Sequence, residues 1–393
     1  LKASRKVTLG IERLCGARVD LIDGVRVGLV CNQASVDHEL SHTADVLRGV
    51  RGARLKALFG PQHGIRGDVQ DNMVETPHTF DPETGLPVYS LYSETREPTE
   101  EMLREVDVIV CDLQDVGCRI YTFVYTIANC MRVAGRLGKR LIVCDRPNPI
   151  GGIALEGNLL EEGFESFVGQ FALPTRHGMT AGELARMFRK HWGVACDLEV
   201  LEMEGWTREL WFDETDIPWV LPSPNMPTLD SATVFPGTVH LEGTQMSEGR
   251  GTTRPFELVG APYVEPGEFA RRLEALGLPG VKFRPTNFLP AFQKHSGVTC
   301  GGVQIHVLDR EAFRPVVTGV GVVKVAFELY GEDFRWKEPP YEYVLDKSPF
   351  DVISGTDSLR LSIERGDSLD ELERSWREGL EAFKETREEF LLY

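Results

Sequence analysis

Short, β-rich runs dominated by apolar residues alternate with amphipathic stretches over the first 150 residues: VRVGLVC (25–31), RLKALFG (54–60), LPVYSLY (86–92), VDVIVCD (106–112) and KRLIVCD (139–145). Apolar residues at successive positions predict strands buried on both faces. A sheet achieves that when it is parallel and covered by helices, and the segment from Tyr121 to Leu137 supplies one such crossover. The pattern therefore predicts an α/β protein with a Rossmann-like, doubly wound parallel sheet over residues 1–150. Beyond that point the alternation becomes irregular, with Pro-rich joints such as LPSPNMPT (221–228), and residues 151–393 are expected to form a smaller α+β domain. Two helices there are signed by capping-box spacing, Thr180 with Glu183 and Ser368 with Glu371. Leu369, Leu372, Trp376, Leu380 and Phe383 would line one face of the last helix.

Open parallel sheets bind ligands beyond the carboxyl ends of their strands, where loops meet helix N-termini. Here those ends read NQAS (32–35), PQHGIRG (61–67), LQDVGCR (113–119) and RPNPIGG (146–152). They offer Asn32, Gln62, His63, Arg66, Gln114, Asp115, Arg119, Arg146 and Asn148, with Asp112 and Asp145 closing their strands and Tyr121 opening the next helix. Asp112 and Asp115 lie close enough to separate each other's pKa values or to hold an arginine, although helix capping by Asp115 accounts for the same residues. Asp145 and Asn148 suit sugar hydroxyls equally well as the bracing of a proline turn.

A second candidate segment is EGTQMSEGRGTTRPF (242–256), where glycines flank Ser247, Glu248, Arg250, Thr252 and Thr253 and follow Glu242. Glycine lets backbone amides approach a ligand, and an arginine fork there suits a carboxylate. The segment contains no GxxxxGK[ST], and no GxGxxG follows the first strand, so no nucleotide cofactor is expected. HELSH (38–42) matches a zinc-protease pattern in letters, but it lies in a polar connection and not within an apolar-flanked helix, so no metal is expected. His177 and His306 read as structural.

Composition narrows the partners. A net charge of −17 over 393 residues disfavours nucleic acid and anionic lipid, and no apolar stretch approaches the length of a membrane span. Eight cysteines without CxxC spacing predict buried free thiols. The N-terminal LKASRKVTLG carries no secretory apolar core, which points to a cytoplasmic location, with export after signal removal as the alternative.

Taken in order, FGPQHGIRG, TGLPVYSLY, DLQDVGCRIYT, DRPNPIGG, RHGMTAGELA, PSPNMPT, EGTQMSEGRGTTRPFELVGAP, GVQIHV and PPYEY make the chain resemble the NamZ-type exo-β-N-acetylmuramidases, glycoside hydrolase family 171. The resemblance implies a Rossmann-like domain, a smaller C-terminal domain and a cleft between them. It implies release of terminal N-acetylmuramic acid from the non-reducing end of peptidoglycan fragments, with a small glycan or muropeptide as partner and no cofactor. The lactyl carboxylate of such a substrate would take an arginine, Arg66, Arg119 or Arg250. Members of that family commonly carry glutamate where this chain has Gln62, and an amide cannot act as a proton donor in its place. The proton is then expected from Glu242, Glu248, Asp112 or Asp115, with His63 and Arg66 binding sugar and Gln62 orienting water or the acetamido group. Assistance by the acetamido group would leave one acid to be found. The alternative is a muropeptide-binding protein with weak or lost hydrolysis. Either way, Arg66, Asp115 and Arg250 are expected around one muramyl ring.

Overall fold

The computed structural model describes residues 6–71 and 73–393; the first five residues of the N-terminal segment discussed above lie outside the described residues. All five apolar runs form strands, trimmed by a few residues at their ends: β1 (Arg26–Cys31), β2 (Arg54–Gly60), β4 (Pro87–Ser90), β5 (Val108–Asp112) and β6 (Arg140–Cys144), with a short β3 (Thr79–Phe80) before β4. After a two-stranded ribbon of β7 (Glu156–Leu159) and β8 (Pro174–Arg176), a further strand, β9 (Asp197–Leu201), returns to the same sheet. The order is β3-β4-β2-β1-β5-β6-β9, parallel throughout except for the antiparallel β3 at the edge. The sheet unit thus runs well past residue 150, where the first domain was expected to end.

Both faces of the sheet are covered. Along β1, Val30 enters the larger core while Val27, Leu29 and Cys31 enter the smaller one, the alternation that a pleated strand imposes. Helices α1 (Gly10–Cys15) and α2 (Thr43–Gly49) bring Ile11, Leu14, Ala44 and Leu47 to the smaller core. Helices α3 (Phe123–Arg136) and α4 (Ala181–Lys190) fill the larger one, and Thr180 and Glu183 form the capping box that starts α4.

The remaining chain builds an antiparallel sheet in the order β10-β12-β11 from β10 (Leu258–Ala261), β11 (Val281–Phe288) and β12 (Cys300–Val307). Around it lie α5 (Leu229–Thr238), α6 (Pro266–Glu274), α7 (Pro315–Tyr330), α8 (Pro349–Ser354), α9 (Ser358–Arg365) and α10 (Leu369–Arg387). The backbones of α5 and α7 touch at glycines: a Cβ on Gly237 would meet the Pro315 carbonyl at 1.8 Å, and one on Gly319 would meet Gly237 at 2.2 Å. That close approach fixes the exit of α5, and therefore the 3₁₀ turn Val239–Gly243 that carries Glu242. Ser368 and Glu371 cap α10, whose Leu372, Trp376 and Phe383 are buried. One continuous apolar core joins the two halves. All eight cysteines are free, and no helix among the described residues is long and apolar enough to cross a membrane.

Candidate active site

Strand order reverses direction of growth between β1 and β5, and the loops leaving the carboxyl ends of β2 and β5 open beside that point. There they meet the Pro-rich joint, the Glu242 turn, the glycine-rich segment and the loop at Tyr341. The result is a hollow with apolar walls, including Ile120, Tyr121, Phe235 and Phe256, and a small set of polar groups: Gln62, His63, Thr122, Asn225, Glu242, Arg250 and Glu342. It is narrow, leaving about 50 Å³ for water-sized solvent, and it adjoins a groove of about 680 Å³ that shares Asn225 as a wall.

Glu342 dominates the electrostatics of the hollow. Burial pushes its carboxyl group up to about 7 and the neighbouring Glu242 adds to that, opposed by hydrogen bonds from Tyr92 and Gln62. Tyr92 Oη donates to Glu342 Oε2 at 2.8 Å, and Gln62 Nε2 donates to Oε1 at 3.3 Å. Gln62 is itself oriented, because its Oε1 accepts from Thr122 Oγ1 at 3.0 Å. Glu342 and Tyr343 both have positive φ, 45° and 69°, and His63 has φ 71°. Left-handed backbone at residues other than glycine costs on the order of 1–3 kcal/mol each and concentrates where side chains must be aimed.

Glu242 is an ion-paired carboxylate. Its Oε1 accepts from Arg250 Nη2 at 2.7 Å and its Oε2 from Tyr341 Oη at 2.9 Å. Arg250 also lies 3.3 Å from Glu248, which in turn binds Lys294 Nζ at 2.8 Å, so the cation at the hollow is shared between two acids and backed by a second cation. Positive φ at Gly249 and Gly251, 81° and 79°, turns this segment so that Arg250 points inward between them.

His63 is neutral: burial lowers it to about 4, only partly offset by its hydrogen bond to the Val69 carbonyl. The carbonyl at 2.7 Å requires Nδ1 to carry the hydrogen, which leaves Nε2 as the acceptor nitrogen.

Of the residues expected at the site, Gln62, His63, Tyr121, Glu242 and Arg250 line the hollow, Glu248 supports it from behind, and Thr252 lines the adjoining groove. The others lie elsewhere. Arg66 pairs with Asp81 at 2.6 Å beside a separate depression and is half exposed, so Arg66, Asp115 and Arg250 do not share one hollow. Asp115 accepts from the Gly117 amide at 2.7 Å and faces His177, bracing the turn after β5. Arg119 is fully enclosed by carbonyls of Asn158, Leu173 and Ser354. Asp112 and Arg146 form a sealed pair at 2.6 Å, joined by Thr43 and the Val36 carbonyl. Asn32 and Gln114 bind the Pro222 and Pro147 carbonyls, and Asn148 ties Met179 to Ile150. Asp145 anchors Thr180 and Tyr393, and Ser247 accepts from the Gly249 amide. In HELSH, His38 meets Glu12 and Asp216 while His42 caps α2. Glu342, Tyr341 and Tyr92 were not anticipated. The signal for Tyr341 and Glu342 was a glutamate between two tyrosines after a proline pair, in a segment with no periodicity, whereas Tyr92 closes the run LPVYSLY.

Comparison with known proteins places the whole chain. The family described as "Exo-beta-N-acetylmuramidase NamZ, N-terminal" matches residues 27–230, and its C-terminal counterpart matches residues 233–393. Peptidoglycan beta-N-acetylmuramidase NamZ of Bacillus subtilis (strain 168) is 45% identical over 388 residues, covering 99% of this chain and 92% of that protein. Two crystal structures of DUF1343 family proteins from Bacteroides fragilis NCTC 9343 superpose with TM-scores of 0.89 and 0.77 at 36% and 27% identity, each covering 98% of this chain and 99% of the other.

Proposed function

Because the chain belongs to the NamZ family of exo-β-N-acetylmuramidases, we propose that the hollow is where a terminal N-acetylmuramic acid residue is bound and its β-glycosidic bond hydrolysed. The chain is a glycoside hydrolase, and its substrate is the non-reducing end of peptidoglycan fragments. The observation that carries the site assignment is the pairing, in one narrow hollow, of a carboxyl group that holds its proton near neutral pH with a carboxylate fixed by an arginine.

In this proposal Glu342 gives its proton to the glycosidic oxygen as that bond breaks, and water then adds to the anomeric carbon and returns a proton to Glu342. Its raised pKa suits that task, since an acid works best when it titrates near the working pH. Glu242, anchored by Arg250 and Tyr341, supplies negative charge to the positive charge that develops on the sugar ring. Gln62 has no acidic proton to give; it donates to Glu342 and fixes where that carboxyl group points. His63, neutral and with Nε2 as acceptor, suits a hydroxyl or acetamido N–H of the sugar.

Incubation with a chromogenic aryl N-acetylmuramide is expected to release the phenol and free N-acetylmuramic acid, whereas failure on both this compound and a muramyl disaccharide contradicts the proposal. Because Gln62 has no acid function, binding without turnover is the competing reading. Calorimetric titration that shows binding with no product would support it.

A further inference from the structure

We infer that Arg96 is a positioning residue for the acid: its guanidinium holds both Tyr92, which donates to Glu342, and Tyr343, which follows Glu342 in the turn, and so sets the direction and the charge surroundings of that carboxyl group. This rests on the reading of Glu342 as proton donor above, and it concerns a residue that lines neither the hollow nor the adjoining groove.

The turn that carries the acid depends on outside support. Tyr341 and Val344 exchange backbone hydrogen bonds at 3.0 and 2.9 Å, which leaves Glu342 and Tyr343 as the two central residues, at φ 45° and 69°. A two-residue turn with both centres left-handed suits Asn-Gly or Gly-Gly, and a Glu-Tyr pair keeps that backbone only where its side chains are pinned. Glu342 is pinned by Tyr92 and Gln62. Tyr343 Oη donates to Glu75 Oε1 at 2.9 Å, and the Arg96 guanidinium lies 4.4 Å from the centre of the Tyr343 ring. The same guanidinium lies 4.3 Å from the centre of the Tyr92 ring, so one cation supports both pins.

Arg96 is itself held from a firm base. Its carbonyl accepts from Asn129 Nδ2 on α3 at 3.0 Å, its Nη1 donates to the Ser93 carbonyl, and its Nη2 reaches Glu75 at 3.4 Å. Its Nε is buried without a hydrogen-bond partner, which contact with two rings tolerates and a purely hydrogen-bonded arginine would avoid. The charge matters as well as the contact. Facing Glu342 are Tyr92 and Arg96 from the segment after β4, Glu242 from the 3₁₀ turn, Tyr341 and Tyr343 from its own turn, and His63 and Arg250 in the hollow; Glu75 joins through Tyr343. Arg250 is held by Glu242 and Glu248, and His63 is neutral, whereas Arg96 is paired only with the half-exposed Glu75. Arg96 is therefore the cation whose field favours the charged form of Glu342.

The test follows kcat, KM and the alkaline limb of kcat/KM on a muramyl disaccharide, with the full chain. Glu342 is also titrated directly through the infrared C=O band of its protonated carboxyl group, assigned by its absence from Glu342→Gln. Arg96→Met is expected to lower kcat about tenfold or more with KM within about twofold, and to move both the limb and the infrared titration to higher pH. Arg96→Lys restores the charge without the planar contact, so the limb is expected to return toward its original place while kcat recovers only in part. Tyr343→Leu removes one ring and keeps the charge, so kcat is expected to fall about threefold or more with the limb unmoved; this variant decides the matter if Arg96→Met does not fold. An unmoved infrared titration in Arg96→Met, a loss of melting temperature with kcat and the limb intact, or an unchanged kcat in Tyr343→Leu overturns the inference. If Glu342→Gln keeps full kcat, it is the acid reading that fails, and the infrared titration of Arg96→Met still decides whether Arg96 acts on Glu342.

Discussion

Asp145 and Glu342 are both buried carboxyl groups pushed up to about 7 by desolvation, yet they sit in opposite kinds of surroundings. Asp145 directly follows β6 and is surrounded by donors: Thr180 Oγ1 at 2.6 Å, the Gly182 amide at 2.8 Å, Tyr393 Oη at 2.8 Å and the Arg146 amide at 3.1 Å. It ties β6, the start of α4 and the last residue of the chain together, and it lines none of the main cavities. Glu342 has two partners, Tyr92 and Gln62, lies on a loop with left-handed backbone, and opens on the hollow. A raised pKa is therefore a statement about burial. Only the addition of an open space for a substrate turns it into chemistry.

The comparison is broken most forcefully by exchanging each carboxyl group for its amide. Glu342→Gln is expected to cut kcat on a muramyl disaccharide by about 10²–10⁴-fold with a melting temperature close to that of the unmodified chain. Asp145→Asn is expected to show the reverse: near-normal kcat in the protein that remains folded, and a loss of about 1–3 kcal/mol of stability from mismatched donors, read by thermal or urea melts. If Asp145→Asn proves the more damaging to kcat, Glu342 is not the acid.

Next in size is the ion pair that supports the second acid. Arg250→Met leaves Glu242 and Glu248 buried without their shared cation, and breaking such a pair is expected to cost about 3–5 kcal/mol of stability together with most of the activity. Glu242→Gln, which keeps the shape and one acceptor oxygen for Arg250 and leaves Glu248 as that cation's partner, is expected to lose activity with a smaller change in melting temperature. Similar melts for the two variants would remove the ion pair from the account.

The two carboxyl groups also separate by pH. Glu342 must be protonated to act, so kcat/KM is expected to fall as pH rises through about 7. The Gln62 amide favours the charged form of Glu342, and Gln62→Leu is expected to move that limb to higher pH; an unchanged limb argues against the contact. Asp145 affects stability instead. Its ordinary value of 3.8 is raised to about 7 on folding, so between these values the folded chain holds a proton that the unfolded chain has lost. Its contribution to stability is therefore greatest below about 4 and declines as pH rises through about 7, and Asp145→Asn is expected to flatten that slope in urea melts across the window. The smallest effect belongs to Arg66, half exposed and paired with Asp81 outside the hollow: Arg66→Ala is expected to change kcat/KM by less than about twofold.

The sheet was legible because β1, β5 and β6 are buried on both faces, so nearly every position is apolar and the runs stand out. β9 was missed for the opposite reason: as an edge strand it mixes Asp197 and Glu199 with Leu198, Val200 and Leu201, and its half-buried pattern resembles a connection. The capping boxes at Thr180 and Ser368 are local, and local chemistry reads directly from spacing. The site was legible where a polar residue sits between glycines or after a buried strand, as with Gln62, His63 and Arg250. The same signal misled at Asp112, Arg146 and Arg119, because a polar group that seals a strand end against its neighbours and one that faces a ligand look alike until the chain is folded. Glu342 was hidden for a further reason. Its burial is made by Tyr92, Gln62 and Met73, some 250 or more residues away in sequence, and no local pattern reports that.

Whether Glu342 delivers the proton is read from how the Glu342→Gln defect depends on the leaving group. The dinitrophenolate of a dinitrophenyl N-acetylmuramide departs without protonation, whereas a sugar leaving group needs it. Glu342→Gln is expected to lose about 10²–10⁴-fold on the disaccharide and far less on the dinitrophenyl substrate. A loss of the same size on both would contradict it.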